Sequence, residues 1–94
     1  MKKVKFKNWN CTIKKASYMQ NGRTALELEC KGERIAVATL NLGEIKLEPG
    51  EVIIKSYSEN EGMYEALLEA GVIGPVKRYA ENEFIKAHIC DLKI

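Results

Sequence analysis

The sequence has no hydrophobic run close to the roughly 18 residues that a membrane-spanning helix needs. Its basic start, residues 1–7, lacks the apolar stretch and the small-residue cleavage site of a signal peptide. No segment rich in proline or serine interrupts the chain, so nothing indicates a linker between domains. We therefore expect a cytoplasmic protein that binds no membrane and folds as one domain over residues 1–94.

Cysteine and histidine are also scarce. Cys11, Cys30 and Cys90 are odd in number and widely spaced, which argues against a disulfide framework and is typical of a reducing compartment. Together with His88 they are the ligand types of a zinc site, but the closely spaced cysteine pairs of such sites are absent. A nucleophilic Cys–His pair would need a third orienting group, and no motif supplies one. The sequence also lacks a P-loop and a Gly-x-Gly-x-x-Gly motif. We expect no metal, no other cofactor and no enzymatic activity.

The composition is that of a folded globular chain, with 46% hydrophobic and 30% charged residues. Turn-forming residues and apolar alternation predict an antiparallel sheet of about five strands. Asn21-Gly22 favours a two-residue type I′ turn, which would place Lys14 opposite Glu29 and Ile13 opposite Cys30.

Three further segments are predicted to be strands. Residues 34–42 are apolar on both faces, which indicates an interior strand. The turn at residues 48–51 has Pro49 and Gly50 in type II order and leads into a short strand at residues 52–55. Residues 83–94 alternate between two apolar faces and are predicted to form the last strand.

One helix is predicted, with a beginning at Ser58. Ser58 and Glu61 have the spacing of a capping box, and an apolar stripe follows at helical spacing. Gly71 favours a left-handed end, with Val72 returning to Leu67 as in a Schellman motif. The predicted fold class is therefore α+β, an antiparallel sheet of about five strands with one α-helix packed on one face.

Charge is distributed unevenly along the chain. Seven basic residues and no acid precede residue 24, whereas residues 48–69 contain six glutamates and one lysine. Both stretches could simply be solvated faces. The basic stretch could instead contact nucleic acid, through Lys2, Lys3, Lys5, Lys7, Lys14 and Lys15.

The predicted helix entrance is the candidate site for a protein partner. Like charges at residues 61, 65 and 69, and a glycine at residue 62, are unfavourable in an isolated helix. We expect a group of exposed side chains suited to an arginine-rich surface, namely Tyr57, Glu59, Asn60, Glu61 and Tyr64. The alternative is that this run only caps the helix.

Several short segments resemble a family of small domains of unknown function. They are residues 21–26, 32–33, 41–42, 54–63 and 70–73, of which the Ser-Glu-Asn-Glu-Gly-Met run at residues 58–63 is the most specific. Members of this family are carried by phages, plasmids and conjugative elements of Gram-positive bacteria. The resemblance brings no catalytic residues, and the lysine-rich start is unlike the more acidic members. It implies a setting in which small cytosolic α+β proteins antagonise host defences, including as anti-CRISPR inhibitors of Cas nucleases.

Two functions are therefore expected for a protein located in the cytoplasm of a host bacterium. The first is a non-enzymatic mobile-element protein that binds and inhibits a host defence protein or ribonucleoprotein, such as a Cas nuclease. The alternative is a nucleic-acid-binding accessory protein of element replication or transfer. An exposed edge strand would also allow a homodimer.

Overall fold

A computed structural model describes residues 2–94 and confirms the α+β class. Seven strands, one 3₁₀ turn and one α-helix follow in the order β1 (Lys3–Phe6), β2 (Trp9–Ser17), β3 (Thr24–Cys30), β4 (Glu33–Val37), β5 (Glu51–Ile54), the 3₁₀ turn (Ser58–Asn60), α1 (Met63–Glu69), β6 (Arg78–Glu81) and β7 (Lys86–Asp91). Within residues 2–94 no helix is long and apolar enough to cross a membrane.

The strands form two antiparallel sheets, so the predicted single five-stranded sheet is wrong. The first sheet has the order β1-β2-β3-β4 and the second β5-β7-β6. The chain leaves the first sheet at Ala38. The Ala38 N–H donates to the Leu26 carbonyl on β3, whereas the Ala38 carbonyl accepts from the N–H of Lys55, the residue after β5. Thr39 then forms an isolated bridge to Ile54 on β5. Residues 34–42 are thus split between two sheets, and β4 is an edge strand rather than an interior one.

The β2–β3 hairpin has a longer loop than Asn21-Gly22 predicted. The Tyr18 N–H bonds the Arg23 carbonyl and the Gly22 N–H bonds the Tyr18 carbonyl, each at 2.8 Å, so four residues separate the closing pair. The register is therefore two residues away from the predicted one, with Lys14 opposite Glu27. The two-residue turn with positive φ at both positions occurs instead at residues 31–32, where φ is 55° and 79°.

Two hydrophobic clusters hold the sheets together. The larger lies between the two sheets and α1, and includes Leu26, Leu28, Ile54, Leu67 and Cys90. The smaller lies on the other face of the second sheet and is covered by the segment at residues 40–47. Strand β7 serves both, as its predicted alternation requires, because Cys90 faces the first cluster while Ala87 and Ile89 face the second.

The helix ends as predicted but begins differently. At its end the Val72 N–H bonds the Leu67 carbonyl at 3.0 Å and the Gly71 N–H bonds the Leu68 carbonyl at 3.1 Å, which is the Schellman pattern. The predicted capping box is wrong, because Ser58 lies in a separate 3₁₀ turn and α1 begins only at Met63.

Candidate functional site

The helix entrance is a sharp corner between β5 and α1. Tyr57 is extended, Ser58 has φ of 57°, and Gly62 has φ of 89°, so the chain reverses twice within six residues. Glycine is favoured at such an angle because it has no Cβ, and this explains the glycine at residue 62. The hydroxyl of Ser56, rather than that of Ser58, accepts the Tyr64 N–H at 2.9 Å and caps α1.

Asn60 does not project from this corner, contrary to the prediction. Its residue surface is 2% exposed, and its Nδ2 donates to the Val37 carbonyl at 2.7 Å and to the Lys55 carbonyl at 3.3 Å. A short amide satisfies two carbonyls at the ends of β4 and β5 that would otherwise lack donors. Asn60 therefore holds the helix entrance against the edge of the first sheet.

Glu59 is exposed but is already paired within the chain. Its side chain is 66% exposed and forms an ion pair with Lys55. This pairing lowers the pKa of the Glu59 carboxyl to about 2. The Glu59 carbonyl accepts from Lys7 Nζ at 2.9 Å, and the Lys55 ammonium lies 5.5 Å from the ring centre of Tyr57.

Tyr64 is half-buried and is part of the packing around α1. Its hydroxyl accepts the Val76 N–H at 3.0 Å. Its ring stacks on His88 with centroids 4.4 Å apart and an angle of 13° between the planes. Tyr79, which is opposite His88 on the neighbouring strand, has its ring centre 5.3 Å from the imidazole, so two phenol rings lie next to His88. Burial lowers the pKa of His88, and its Nδ1 is buried with no hydrogen-bond partner within residues 2–94.

Three exposed glutamates lie at and after the helix entrance, with Glu61 just before α1 and Glu65 and Glu69 on it. Glu61, Glu65 and Glu69 recur every four residues and are all exposed. None of the ion pairs found among the described residues includes any of them. We call these three residues the acidic row. Sequence reasoning placed only Glu61 in the site, although the spacing of all three was visible.

Lysines from the basic stretch separate onto different surfaces. Lys3 and Lys5 on β1 and Lys14 on β2 alternate with buried residues and so lie on the outer face of the first sheet. On that face Lys14 is opposite Glu27, which also pairs with Arg34 at 3.6 Å.

The other three lysines have different neighbours. Lys7 donates to Glu59, and the Lys2 side chain lies beside Gly71 at the end of the helix. Lys15 is on the inner face of the first sheet, as Ile13 is, but it is exposed at the edge of that face. There its Nζ donates to the Ile94 carbonyl at 3.2 Å. The six predicted lysines thus do not form one continuous basic patch.

A cleft lies between the edge of β4 and the helix entrance. Its volume is about 410 Å³, and its polar lining comes from Arg34, Thr39, Lys55, Glu59 and Asn60. Arg34 and Thr39 were missed in the sequence because pairing with other strands places them here. Arg34 pairs with Glu29 on β3, and Thr39 pairs with Ile54 on β5.

The buried thiols are not activated. Burial raises the pKa of Cys90 to about 11 and also raises the pKa of Cys11, so both are protonated at neutral pH. Across residues 2–94, the His, Cys, Asp and Glu side chains form no group of three that could hold a metal ion.

Comparison of the chain with models of protein families, with curated proteins and with solved structures gave no match. The resemblance to mobile-element proteins therefore stays a prediction.

Proposed function

We propose that the protein is a non-enzymatic binding protein that inhibits a host defence complex by occupying a basic surface on it. The partner would be a defence protein or ribonucleoprotein of a bacterium that carries a phage or plasmid, such as a Cas nuclease. The observation that carries this proposal is the acidic row, which is exposed and unpaired among the described residues. The sequence resemblance supports the choice of partner.

The acidic row suits a basic partner for electrostatic reasons. Glu65 and Glu69 are four residues apart on α1, about 6 Å along its axis, and like charges at that spacing destabilise a helix by a few tenths of a kcal/mol. Glu61 adds a third negative charge just before the helix. A surface rich in arginine would remove this repulsion and form charge-assisted hydrogen bonds to all three carboxylates. The same charges would attract such a partner from a distance and speed association at low salt.

Around the row, two of the predicted residues could add contacts. Tyr57 is half-buried and Glu59 is exposed, so both can be reached from the helix entrance. Glu59 would have to exchange Lys55 for a cation of the partner, and this limits its net contribution. Asn60 and Tyr64 bond within the fold, so we assign them the role of holding the entrance in place.

A triple substitution tests the proposal. Glu61→Gln, Glu65→Gln and Glu69→Gln together remove three charges and keep side-chain size and helix propensity. We expect a melting temperature that is unchanged or slightly higher, and inhibition of nuclease cleavage or plasmid interference that is weaker by at least about tenfold, since tenfold is only 1.4 kcal/mol.

The matched control removes three exposed carboxylates elsewhere. Glu33→Gln, Glu44→Gln and Glu83→Gln change the net charge equally but lie far from α1 in the sequence. Inhibition by this control should be nearly that of the unchanged protein. Equal inhibition by both triple variants would contradict a role for the acidic row. Unchanged interference across several defence types, with unaltered protein in excess, would contradict the inhibitory function itself.

Nucleic-acid binding is the second candidate. It is favoured by Lys3, Lys5 and Lys14 on the outer face of the first sheet, and weakened by Glu27 and Glu29 on the same face. It predicts binding of DNA or RNA that falls steeply with salt, and that is lost when these three lysines become glutamine. A failure to bind heparin at low salt would count against it.

A homodimer through an exposed edge strand is a further prediction of the architecture. Strand β4 is at one edge of the first sheet, and such an edge offers unpaired backbone groups. Sedimentation of the purified chain over a range of concentrations would measure whether dimers form.

A further inference from the structure

Cys11 and Cys30 lie on neighbouring strands of the first sheet. Residues of β2 and β3 pair in a continuous register in which Ile13 is opposite Leu28 and Thr12 is opposite Glu29. Continued by one residue, this register places Cys11 opposite Cys30. Because side chains opposite each other in a sheet point to the same face, the two thiols lie together on the inner side.

The hydrogen-bond pattern identifies which type of pair this is. The Leu26 carbonyl accepts the Ala38 N–H, so the backbone groups of Leu26 point away from β2. Alternate residues of a strand share that direction, which makes Cys30 part of a non-hydrogen-bonded pair with β2. The bulge in the β3–β4 pairing adds its extra residue to β4, between Arg34 and Ala36, so the alternation along β3 is kept.

A non-hydrogen-bonded pair brings two cysteines within reach of each other. Its Cα atoms are about 4.5 Å apart and its side chains approach more closely than in the hydrogen-bonded type. Disulfides form between Cα atoms about 4.4–6.8 Å apart, so a pair of this type falls at the short end of the range that a disulfide can span. Both cysteines are free thiols in this structure.

The two thiols differ in access. Cys11 is 1% exposed, whereas Cys30 is half-buried and borders an open cleft of about 320 Å³ beside Trp9 and Lys31. A small reagent can therefore reach Cys30 first. Cys90 is buried on β7 in the other sheet and is not a neighbour of Cys30 in the pairing.

We propose that Cys11 and Cys30 are a redox modification site that closes to a reversible disulfide in the presence of a low-molecular-weight disulfide such as oxidised glutathione. The Cys30 thiolate attacks one sulfur of the reagent, and one glutathione thiolate leaves. Cys11 then loses its proton and attacks the Cys30 sulfur of the mixed disulfide, which releases the second glutathione. The protein loses two electrons and two protons in total, and the reagent is reduced to two thiols.

The disulfide would join the two strands at the end of the sheet that also carries the turn after β3. A cross-link between β2 and β3 constrains the unfolded chain, so the oxidised protein should be more stable than the reduced one. Such reversible, sensing disulfides are the kind found in reducing compartments, where permanent ones are rare.

Titration of the full chain in glutathione buffers tests the proposal. Samples are quenched with acid; one portion is measured directly as intact protein, and the other is alkylated and measured as peptides. We expect a monomer lighter by about 2 Da, one peptide pair joined through Cys11 and Cys30, and Cys90 alkylated. The oxidised form should also melt at a higher temperature, and dithiothreitol should reverse both changes.

Two variants complete the test. Cys30→Ser changes a half-buried position and should abolish the mass loss, whereas Cys90→Ala should retain it. Peptide mapping of the unchanged chain identifies the joined residues directly. The proposal can therefore be tested even if a variant fails to fold. Stable glutathione adducts on Cys30, a cross-link that includes Cys90, covalent dimers, or three alkylated thiols at every buffer ratio would each overturn the proposal.

Discussion

Replacing the buried carboxylate of Glu51 by an amide, in Glu51→Gln, perturbs an ion-pair cluster at one end of the second sheet. The Glu51 side chain is fully buried and accepts from both Arg78 guanidinium nitrogens at 2.7 and 2.8 Å. It also accepts from Lys77 Nζ at 2.8 Å and from the Glu48 N–H at 2.8 Å. Because Glu51 begins β5 and Arg78 begins β6, the cluster joins the two edges of that sheet across β7.

The expected cost follows from the burial of each partner. Removing one member of a buried ion pair typically costs about 3–5 kcal/mol, because the other charge is left uncompensated. Here the Lys77 and Arg78 side chains are 41% and 43% exposed, so water can solvate them in the variant. We therefore expect Glu51→Gln to lose about 2–3 kcal/mol of unfolding free energy at neutral pH. With a urea dependence of about 1–2 kcal/mol per molar, the midpoint should fall by about 1–3 M.

The pH dependence gives a second readout. Bonding to Arg78 holds the pKa of Glu51 well below its ordinary value of 4.5. The folded state thus favours the ionised form, and its contribution is present above pH 4.5 and is lost as the pH falls below it. The difference between the unchanged protein and Glu51→Gln should therefore shrink on acidification.

Urea unfolding followed by circular dichroism, from pH 7 down to about pH 3, measures both effects. The control is Glu48→Gln, which removes an exposed carboxylate three residues away and should change the midpoint little. If Glu51→Gln unfolds with the same midpoint as this control, or if its deficit is equally large at every pH, the reasoning is refuted.

Three further predictions concern single residues, each measured by unfolding of the purified variant. Asn60→Ala should lower the free energy of unfolding by about 1–3 kcal/mol, because the partly buried Val37 carbonyl loses its donor. An unchanged free energy of unfolding would support the predicted surface role of Asn60 instead. His88→Phe keeps the stack on Tyr64. Because the pKa of His88 is lowered in the folded state, the unchanged protein should lose stability as the pH falls below 6.5, and the variant should not. If the variant loses stability equally over that range, other groups are responsible. Gly71→Ala, at φ of 75°, should cost about 1 kcal/mol and lower the melting temperature by about 4–8 °C, and an unchanged temperature would contradict the left-handed helix end.

Features encoded by neighbouring residues could be predicted from the sequence. The helix end at Gly71 and the turn at Pro49-Gly50 depend on backbone angles that few residues adopt, and both are confirmed. The alternation of β7 was also visible, because each of its faces contacts a different apolar cluster.

Features decided by distant contacts could not be predicted. The apolar run at residues 34–42 contains no proline or glycine before Gly43, so nothing local indicates that Ala38 leaves one sheet for the other. Ser56 and Ser58 are equally good caps by composition, and the choice between them depends on how the corner packs. Asn60 is polar and near a turn, which favours exposure, yet its partner Val37 lies 23 residues away in the chain.

The spatial arrangement of charge also changes how the candidate site is understood. In the sequence the basic start and the acidic helix are separate, but in the fold β1 contacts α1. Lys3 and Lys5 border the same depression as Glu69, and Lys7 bonds the backbone of Glu59. The basic and acidic stretches therefore meet at this seam, although none of the ion pairs among the described residues joins them. A basic partner would therefore meet Glu69 beside two lysines, so Glu69 should contribute less to binding than Glu65, which does not border that depression.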